Sequence, residues 1–398
     1  MKNIEEIIEY IGENDVKFVK LTFCDILGRQ KNVSLNASHF REACDGGVII
    51  DASAVGMGRG DLVLMPKPDT VAAMPWRPSS GSVITVMCGI FYPDGTPFEG
   101  DCMRILSDAE TAFAETGVDA QFMTESEFYI TRLSDNGEPT LTPVDYAGYL
   151  DAAPLDRCEN LRREIVFTLE SMGMKPLSSH HEHGHGQNAV IFRAASAYRS
   201  AINTVLFRGA VKNIAYSDGL YATFAPSPME NSIGSNFRIV AELSRGGAPA
   251  DDKTAEAFAC GVLARLPEIA VFTNPIRNSY RRLLHRDTPC RLTLGTAKSA
   301  VRVKPGGKVE ITSADTACNP FIVLALIMRA GAEGLRGEAP DPDENAFLPV
   351  SLVDAVDAAR GSEFAARSLP APFLSAYLDK KDSQACDMSR DDVLRGGL

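Results

Sequence analysis

The pattern of apolar and polar positions changes character about a quarter of the way along the chain. The first part contains short alternating runs joined by glycine- and proline-rich turns, and the runs 17–23 and 31–35 predict a hairpin. Further on, segments of helical period alternate with strand-like segments. The turn-rich segment 91–101 lies between the two patterns. It predicts a boundary between two domains, 1–101 and 102–398.

Helical period and strict alternation predict most of the regular elements. The expected helices are 4–12, 103–115, 157–172, 197–215, 253–266 and 320–335, followed by a helical tail from residue 352. Further strands are expected at 72–75, 82–91, 121–130, 187–193, 219–224, 236–242, 290–295, 301–304 and 308–312.

The strand at 121–130 carries the first candidate chemistry. Because side chains alternate along a strand, Glu125 and Glu127 project from one face, while Phe122 and Phe128 occupy the other. Two adjacent carboxylates on a mostly apolar strand repel each other unless a cation lies between them. The pattern fits either a metal or substrate site or a solvated strand face.

A second charged face is expected on the hairpin 301–312, whose turn is Pro-Gly-Gly. Alternation places four charged residues together, opposite four apolar ones. The charged residues are Arg302, Lys304, Lys308 and Glu310.

Composition narrows the classes of function. The chain has 398 residues, 45% of them hydrophobic and 23% charged, which is typical of a globular protein. The net charge of −12 argues against nucleic acid or an anionic membrane as a partner. The start of the chain has no leader pattern, and no apolar run is long enough to span a bilayer. The nine cysteines are scattered singly, so we expect a cytoplasmic protein with reduced thiols.

Several segments resemble the glutamine synthetase family, in that family's order and over nearly the whole chain. They are KFVKLTFCDILGR, IIDASAVG, DLVLMPKPDT, TESEF, HHEHGHGQNA, ATFAPSP with IGSNFRI, NSYRRL, and ADTACNPFIVLALIMRAGAEGL. The resemblance implies an N-terminal β-grasp domain. It also implies a catalytic domain with a curved antiparallel sheet flanked by helices, so that the fold class is α+β.

The family resemblance also implies an activity. It is an ATP-dependent ligase that joins glutamate to ammonia or another amine through an acyl phosphate, with Mg²⁺ or Mn²⁺ held by oxygen-rich ligands. The family forms homo-oligomers of hexameric rings, commonly stacked into dodecamers, with active sites between subunits. No nucleic acid or membrane is expected as a partner.

Site residues follow from the resemblance by position. The metal ligands would be Glu127 and Glu182 for the first ion, and Glu125 and Glu310 for the second. The catalytic residues would be Asp51 (which deprotonates ammonium in a neighbouring subunit), Glu182, Arg282 near the reacting carboxyl, and Asp287 on a flap. Substrate would contact Tyr149, Gly234 and Arg282, and the nucleotide would contact Lys298, Arg302 and Lys308.

The departures from the family pattern cluster in this site. Ala189 stands where the first metal has its third ligand, and Arg238 stands where the second metal has a histidine. Each metal therefore keeps two of three protein ligands. Four other family positions are also changed, at Val240, Ile233, Thr312 and Ser227.

Arg238 could replace an ion, because a guanidinium is permanently charged and forks onto carboxylates. In that case it contacts Glu125, Glu310 or both at about 2.7–2.9 Å. In the other interpretation Arg238 points elsewhere, and a metal binds with extra waters.

The histidine-rich segment 180–185 is open to two interpretations as well. Its four imidazoles could be replacement metal ligands, or the segment could be a loop with one or two structural histidines. If the segment is extended, His181 and His183 lie opposite Glu182.

The sequence thus leaves two hypotheses of different classes. One is an active ligase, with glutamate and ammonia or with another pair of substrates. The other is a weakened or inactive family member that acts as an oligomeric scaffold, sensor or partner.

Overall fold

The computed structural model describes residues 3–76, 81–230, 232–284, 291–294, 299–342 and 347–386. All structural statements below concern these residues.

The N-terminal part is a six-stranded sheet with two helices. Its elements are α1 (Ile4–Glu13), β1 (Val16–Cys24), β2 (Gln30–Asn36), α2 (Phe40–Gly46), β3 (Val48–Asp51), β4 (Asp61–Pro66), β5 (Ala72–Ala73) and β6 (Ser82–Phe91). The strand order is β2-β1-β6-β4-β3, with β5 added to β6. The predicted hairpin is confirmed, because β1 and β2 are antiparallel. The parallel pairing of β1 with β6 could not be predicted from alternation alone.

The remainder contains a ten-stranded sheet. Its strands are β7 (Asp119–Leu133), β8 (Pro139–Pro143), β9 (Pro176–His181), β10 (Gln187–Phe192), β11 (Leu220–Thr223), β12 (Phe237–Arg245), β13 (Ala248–Pro249), β14 (Arg291–Leu294), β15 (Ser299–Lys304) and β16 (Lys308–Ile311). The main path is β14-β15-β16-β12-β7-β10-β9, and β7 also pairs with β8 and β11. The described pairs are antiparallel except β14 with β15.

Helices cover this sheet. They are α3 (Cys102–Ala114), α4 (Glu159–Ser171), α5 (Ala197–Ser217), α6 (Asp252–Arg265), α7 (Ala270–Thr273), α8 (Arg277–Leu283), α9 (Pro320–Arg336), α10 (Leu352–Arg360), α11 (Glu363–Ser368) and α12 (Ala371–Cys386). The apolar helix α9 is almost wholly buried, with Asn319 as its N-cap, proline at the first position and Gly337 in the left-handed region at its end. No described helix is both long and apolar enough to cross a membrane.

The predicted elements agree with the structure where their apolar period is strong. The five helices predicted between residues 103 and 335 are all present, with ends displaced by at most two residues. The strands β8 and β9 were not predicted. The sequence of β9 is PLSSHH, which has too few apolar residues to show alternation.

A close contact joins the two parts of the chain. The turn between β1 and β2 packs against Asn319, the residue that precedes α9. The Asn319 Nδ2 atom donates to the Ile26 carbonyl at 3.4 Å. A Cβ on Gly28 would lie 2.8 Å from the Asn319 Cα, and Gly28 has a φ of +84°. The predicted boundary at residue 101 lies just before α3, where Asp101 is the N-cap.

Candidate active site

The centre of the site is the face of β7 that carries Glu125 and Glu127. On one side β12 places Arg238 opposite Glu125, and on the other side β10 places Ala189 opposite Glu127. This face forms the wall of a cavity of about 430 Å³. The cavity is lined by Glu125, Glu127, Tyr149, Glu182, His183, Ile233, Asn236, Arg238, Arg302 and Thr312.

Arg238 bridges two carboxylates, as predicted. Its guanidinium donates to Glu125 Oε2, and its Nη1 donates to Glu310 Oε1 at 3.3 Å, which is longer than the expected distance. Burial alone would lower the pKa of Arg238, but the Glu125 and Glu310 carboxylates outweigh it and raise that pKa. Arg238 therefore supplies positive charge where the family resemblance implies the second metal.

Glu310 is surrounded by further cations from its own hairpin. Arg302 Nε lies 2.9 Å and Lys304 Nζ lies 3.3 Å from Glu310 Oε2. The predicted shared face is confirmed, since Arg302 pairs with Glu310 and Lys304 pairs with Lys308 across the hairpin. The Lys308 Nζ contacts Glu242 at 2.7 Å. With Arg238, three cations surround one carboxylate, so the surroundings of Glu310 are those of an anion-binding surface rather than a metal site.

Glu127 has a different environment. Its Oε1 accepts a hydrogen bond from Asn236 Nδ2 at 3.0 Å, and its Oε2 accepts from the Asn236 backbone N–H and from Gln187 Nε2, both at 2.9 Å. Burial, and then the charge of Glu182, raise the pKa of Glu127 to about 8. Both oxygens of Glu127 are thus engaged by amide donors, in a place that disfavours its negative charge.

Glu182 contacts two histidines. His180 Nε2 lies 2.7 Å from Glu182 Oε1, and His183 Nδ1 lies 3.2 Å from Glu182 Oε2. Burial opposes ionisation of Glu182, but these histidines lower its pKa on balance. The segment is not extended beyond His181, so the condition under which His183 would lie opposite Glu182 is not met. Because β9 ends at His181, the chain turns after it and alternation no longer holds.

His181 is a structural histidine. It is buried, with Nε2 at 3.0 Å from Asp145 Oδ1 and Nδ1 at 2.7 Å from the Glu182 carbonyl. Burial would lower the pKa of His181, but its bond to Asp145 raises it on balance. Each ring nitrogen faces an acceptor oxygen, one of the Asp145 carboxylate and one of the Glu182 carbonyl. This bond fixes the backbone that presents Glu182.

Arg282 lies behind the cavity wall. Its side chain is buried and donates to Asn236 Oδ1 at 2.5 Å, Asn274 Oδ1 at 2.8 Å and the Ser313 carbonyl at 2.5 Å. A Cβ on Gly234 would lie 2.2 Å from Arg282 Cγ, so glycine makes room for this side chain. The roles assigned to Arg282 and Gly234 stay predictions. In this structure the two residues position Asn236, which in turn holds Glu127.

The other assigned residues are placed as follows. Tyr149 is half exposed and stacks on His183 with ring centroids 4.2 Å apart. Asp51 is exposed on the N-terminal sheet, and its Oδ1 accepts from the Ser53 N–H at 2.8 Å. Asp287 and Lys298 lie outside the described residues.

The two metal ligand sets implied by the family do not fit this geometry. At the second position Arg238 and the surplus of cations around Glu310 do not fit a divalent ion. At the first position Ala189 has no donor, and the Glu127 oxygens are bonded to amides. A different set, which the resemblance does not imply, brings three ligand residues together: ligand atoms of Glu125, His180 and Glu182 lie within 4.8 Å of one another. The Glu125 Oε1 atom is buried without a hydrogen-bond partner, as expected for an oxygen that can take an ion.

Sequence reasoning missed two important residues, His180 and Asn236. His180 was noticed only as part of a cluster, because β9 was not predicted and its direction was unknown. Asn236 had no signal, since its importance comes from its contacts with Glu127 and Arg282 and not from a pattern.

The ten-stranded sheet with its covering helices and the smaller N-terminal sheet form an α+β fold, and comparison with known proteins identifies its family. The chain matches the family models for the glutamine synthetase β-grasp domain over residues 15–93 and the glutamine synthetase catalytic domain over residues 99–391. It therefore belongs to the glutamine synthetase family.

Similar proteins agree with this assignment. A glutamine synthetase of Methanosarcina mazei is 34% identical, over 96% of this chain and 93% of its own length. One from Clostridium saccharobutylicum is 33% identical, over 92% and 91%. Among solved structures, GmaS without ligand superposes with a TM-score of 0.87 at 24% identity, covering 99% of both chains. At that identity the superposition shows the shared fold, an α+β architecture with an N-terminal β-grasp domain.

Proposed function

We propose that this protein is an ATP-dependent ligase that joins glutamate, or a related acid, to ammonia or another amine. The observation that carries the proposal is the 430 Å³ cavity, in which Glu125, Glu127 and Glu182 face the basic residues Arg238 and Arg302. Membership of the glutamine synthetase family supports the reaction class.

In the proposed reaction the γ-phosphoryl group of ATP passes to a carboxylate oxygen of the acid, and ADP leaves. The nitrogen of the amine then attacks the acyl carbon, and phosphate departs as the amide forms. Arg302 lies at the cavity wall, where its guanidinium can hold phosphate oxygens. Asp51 of a neighbouring subunit would accept the proton of the attacking nitrogen, and Tyr149 would line the amine pocket.

The metal requirement is proposed to be a single ion rather than two. Glu125, Glu182 and His180 would hold it, with Mn²⁺ favoured over Mg²⁺ because one donor is an imidazole. Such an ion neutralises phosphate oxygens during phosphoryl transfer. On the other side of the cavity Arg238 would supply the fixed positive charge.

The substrates are proposed to differ from those of a standard glutamine synthetase. Ile233 and Thr312 line the cavity at positions where the family has an asparagine and an arginine that hold glutamate. The stacked rings of Tyr149 and His183 form a flat wall suited to an organic amine. An acid with fewer polar contacts, or a larger amine, fits these changes.

Phosphate release from ATP tests the proposal. The enzyme is incubated with Mg²⁺ or Mn²⁺ and with glutamate and other acids, each alone and paired with ammonia or primary amines. We expect release that requires both an acid and an amine, and that Glu182→Gln abolishes. His185→Asn is the matched control, because His185 contacts only a carbonyl at 3.3 Å and the Tyr146 ring.

A second candidate function is a catalytically silent family member that acts as a scaffold or sensor. The observation that favours it is the occupation of the second metal position by Arg238. Calorimetric titration with ATP and Mn²⁺ distinguishes the two. ATP binding without turnover for any pair of substrates would favour the sensor, and turnover would exclude the silent member.

Assembly is part of the proposal, because Asp51 is exposed on the N-terminal sheet and would complete the site of an adjacent chain. We expect hexameric rings, stacked into dodecamers, by light scattering. An active monomer would contradict the shared site.

A further inference from the structure

A second cavity lies where the two parts of the chain meet. It has a volume of about 190 Å³ and is bounded by the turn between β1 and β2 and by α5. Arg29 and Gln30 come from the turn, while Arg208 and Lys212 come from α5. The ionisable residues of its described lining are all cations, in a protein whose net charge is −12.

Arg208 has unused donors in this cavity. Its side chain is 5% exposed, and Nη1 donates to the Cys318 carbonyl at 2.9 Å. Its Nε and Nη2 atoms are buried without a hydrogen-bond partner. Buried charged donors are costly when they are left unpaired, so two such atoms on one guanidinium indicate a missing acceptor.

The neighbouring cations also lack ion pairs among the described residues. The Nε of Arg29 is buried without a partner. Among the described residues, no carboxylate forms an ion pair with Arg29, Arg208 or Lys212. Burial, and then the charge of Arg208, lower the pKa of Lys212 to about 8. Burial raises the pKa of Asp25 and of Asp315, and the charges of Arg29 and Arg208 oppose these two rises, so carboxylates lie near the cations without closing an ion pair with them.

A glycine of α5 lets the Gln30 side chain lie close to the helix at the edge of this cavity. A Cβ on Gly209 would lie 2.9 Å from Gln30 Oε1, so glycine allows the turn to approach α5 closely. The volume corresponds to about six water molecules at roughly 30 Å³ each. Inorganic phosphate or a short dicarboxylate fits that space.

We propose that this cavity is a binding site for a small dianion, held by Arg208, Arg29 and Lys212. Arginine forks match both phosphate and carboxylate oxygens, so these two chemistries share the site. The ligand would connect the N-terminal turn to α5 and so stabilise the junction between the two parts. The site is separate from the proposed active site and does not depend on the proposed function.

Thermal melts of the full chain test the proposal, with inorganic phosphate or malonate added at an ionic strength held constant with sodium chloride. We expect a saturable rise in Tm with at least one of the two anions. The larger rise shows whether the cavity prefers phosphate or a dicarboxylate. In the double variant Arg29→Gln/Lys212→Gln, the apparent Kd should increase at least tenfold.

Two controls assign the effect to this cavity. Lys175→Gln removes the same charge from an exposed position and should leave the Tm rise unchanged. Arg302→Gln removes a cation from the larger cavity, so it separates any anion binding there from the part of the Tm rise that Lys212→Gln removes. Because Lys212→Gln relieves repulsion, it should fold at least as well as wild type, and it replaces the double variant if that fails to fold.

Three results would overturn the proposal. One is a Tm rise no greater than that given by chloride. The second is an equal rise in wild type and in Lys212→Gln. The third is a rise that Arg302→Gln abolishes, which would place the anion in the larger cavity.

Discussion

The two sides of the larger cavity deal with carboxylates in opposite ways. We call Arg238, Arg302, Lys304 and Glu310 the hairpin side, and Glu127, Glu182, His180 and His183 the loop side. Glu125 lies between them. On the hairpin side three permanent cations contact Glu310. On the loop side amides form hydrogen bonds with Glu127, and histidines form hydrogen bonds with Glu182. One side is neutralised by the protein itself, and the other leaves room for an external ion.

Register explains the difference. On the hairpin side Arg238 lies opposite Glu125, and Arg302 lies opposite Glu310, so cross-strand pairing delivers the cations. On the loop side Glu182 follows the last residue of β9, and its partners are His180 of that strand and His183 of the segment after it. A single substitution in β12 can therefore replace an ion on one side and leave the other side intact.

The largest expected effect comes from removing the central cation of the hairpin side. Arg238→Met leaves Glu125 buried and uncompensated, which costs about 3–5 kcal/mol for a fully buried pair. Because Arg238 is about one-third exposed, we expect a loss of roughly 2 kcal/mol in the free energy of unfolding without metal. Urea denaturation measures it, and an unchanged midpoint would show that Arg238 does not compensate the carboxylate.

Next in size is the loss of metal binding on the loop side. His180→Asn should weaken Mn²⁺ binding at least tenfold, because it removes the imidazole donor beside Glu182. His185→Asn serves as the matched control and should bind Mn²⁺ as wild type does. Equal affinity in His180→Asn and wild type would remove His180 from the ligand set.

The pH dependence of stability reports on Glu127. Its pKa of about 8, set by burial and then by Glu182, lies above its ordinary value of 4.5. The folded protein therefore holds this proton more tightly than the unfolded chain does. The resulting stabilisation is complete below pH 4.5 and is lost as pH rises through about 8.

We expect the metal-free protein to lose on the order of 1 kcal/mol in the free energy of unfolding between about pH 6 and 9. The Glu127→Gln variant should lose less. Glu182 does not mask the effect, because its pKa is lowered and its contribution changes only below 4.5. Chemical denaturation across this range checks the difference, and parallel curves for the two proteins would contradict it.

The smallest effect is expected at the edge of the hairpin side. The side chain of Lys304 is about half exposed, so its ion pair with Glu310 is screened by solvent. We expect Lys304→Gln to change the free energy of unfolding by about 0.5 kcal/mol or less. A loss as large as that of Arg238→Met would mean that the three cations act as one unit.

Sequence reasoning predicted the parts that depend on periodicity. The shared face of Glu125 and Glu127, the charged face of the hairpin and the contact of Arg238 with both carboxylates all follow from strand alternation and family order. The position of His183 could not be predicted, because the end of β9 decides it and that strand is polar. The buried hydrogen bonds of Arg282 could not be predicted either, because its partners Asn236, Asn274 and Ser313 are far apart in the sequence.

The number of Mn²⁺ ions bound per chain tests the central claim most directly, measured by calorimetry on the wild type and on Arg238→His without nucleotide. We expect one ion for the wild type, because Arg238 takes the second metal position. We expect a second ion for Arg238→His, which restores a ligand beside Glu125 and Glu310. Two ions in the wild type would show that Arg238 does not take the second metal position between Glu125 and Glu310.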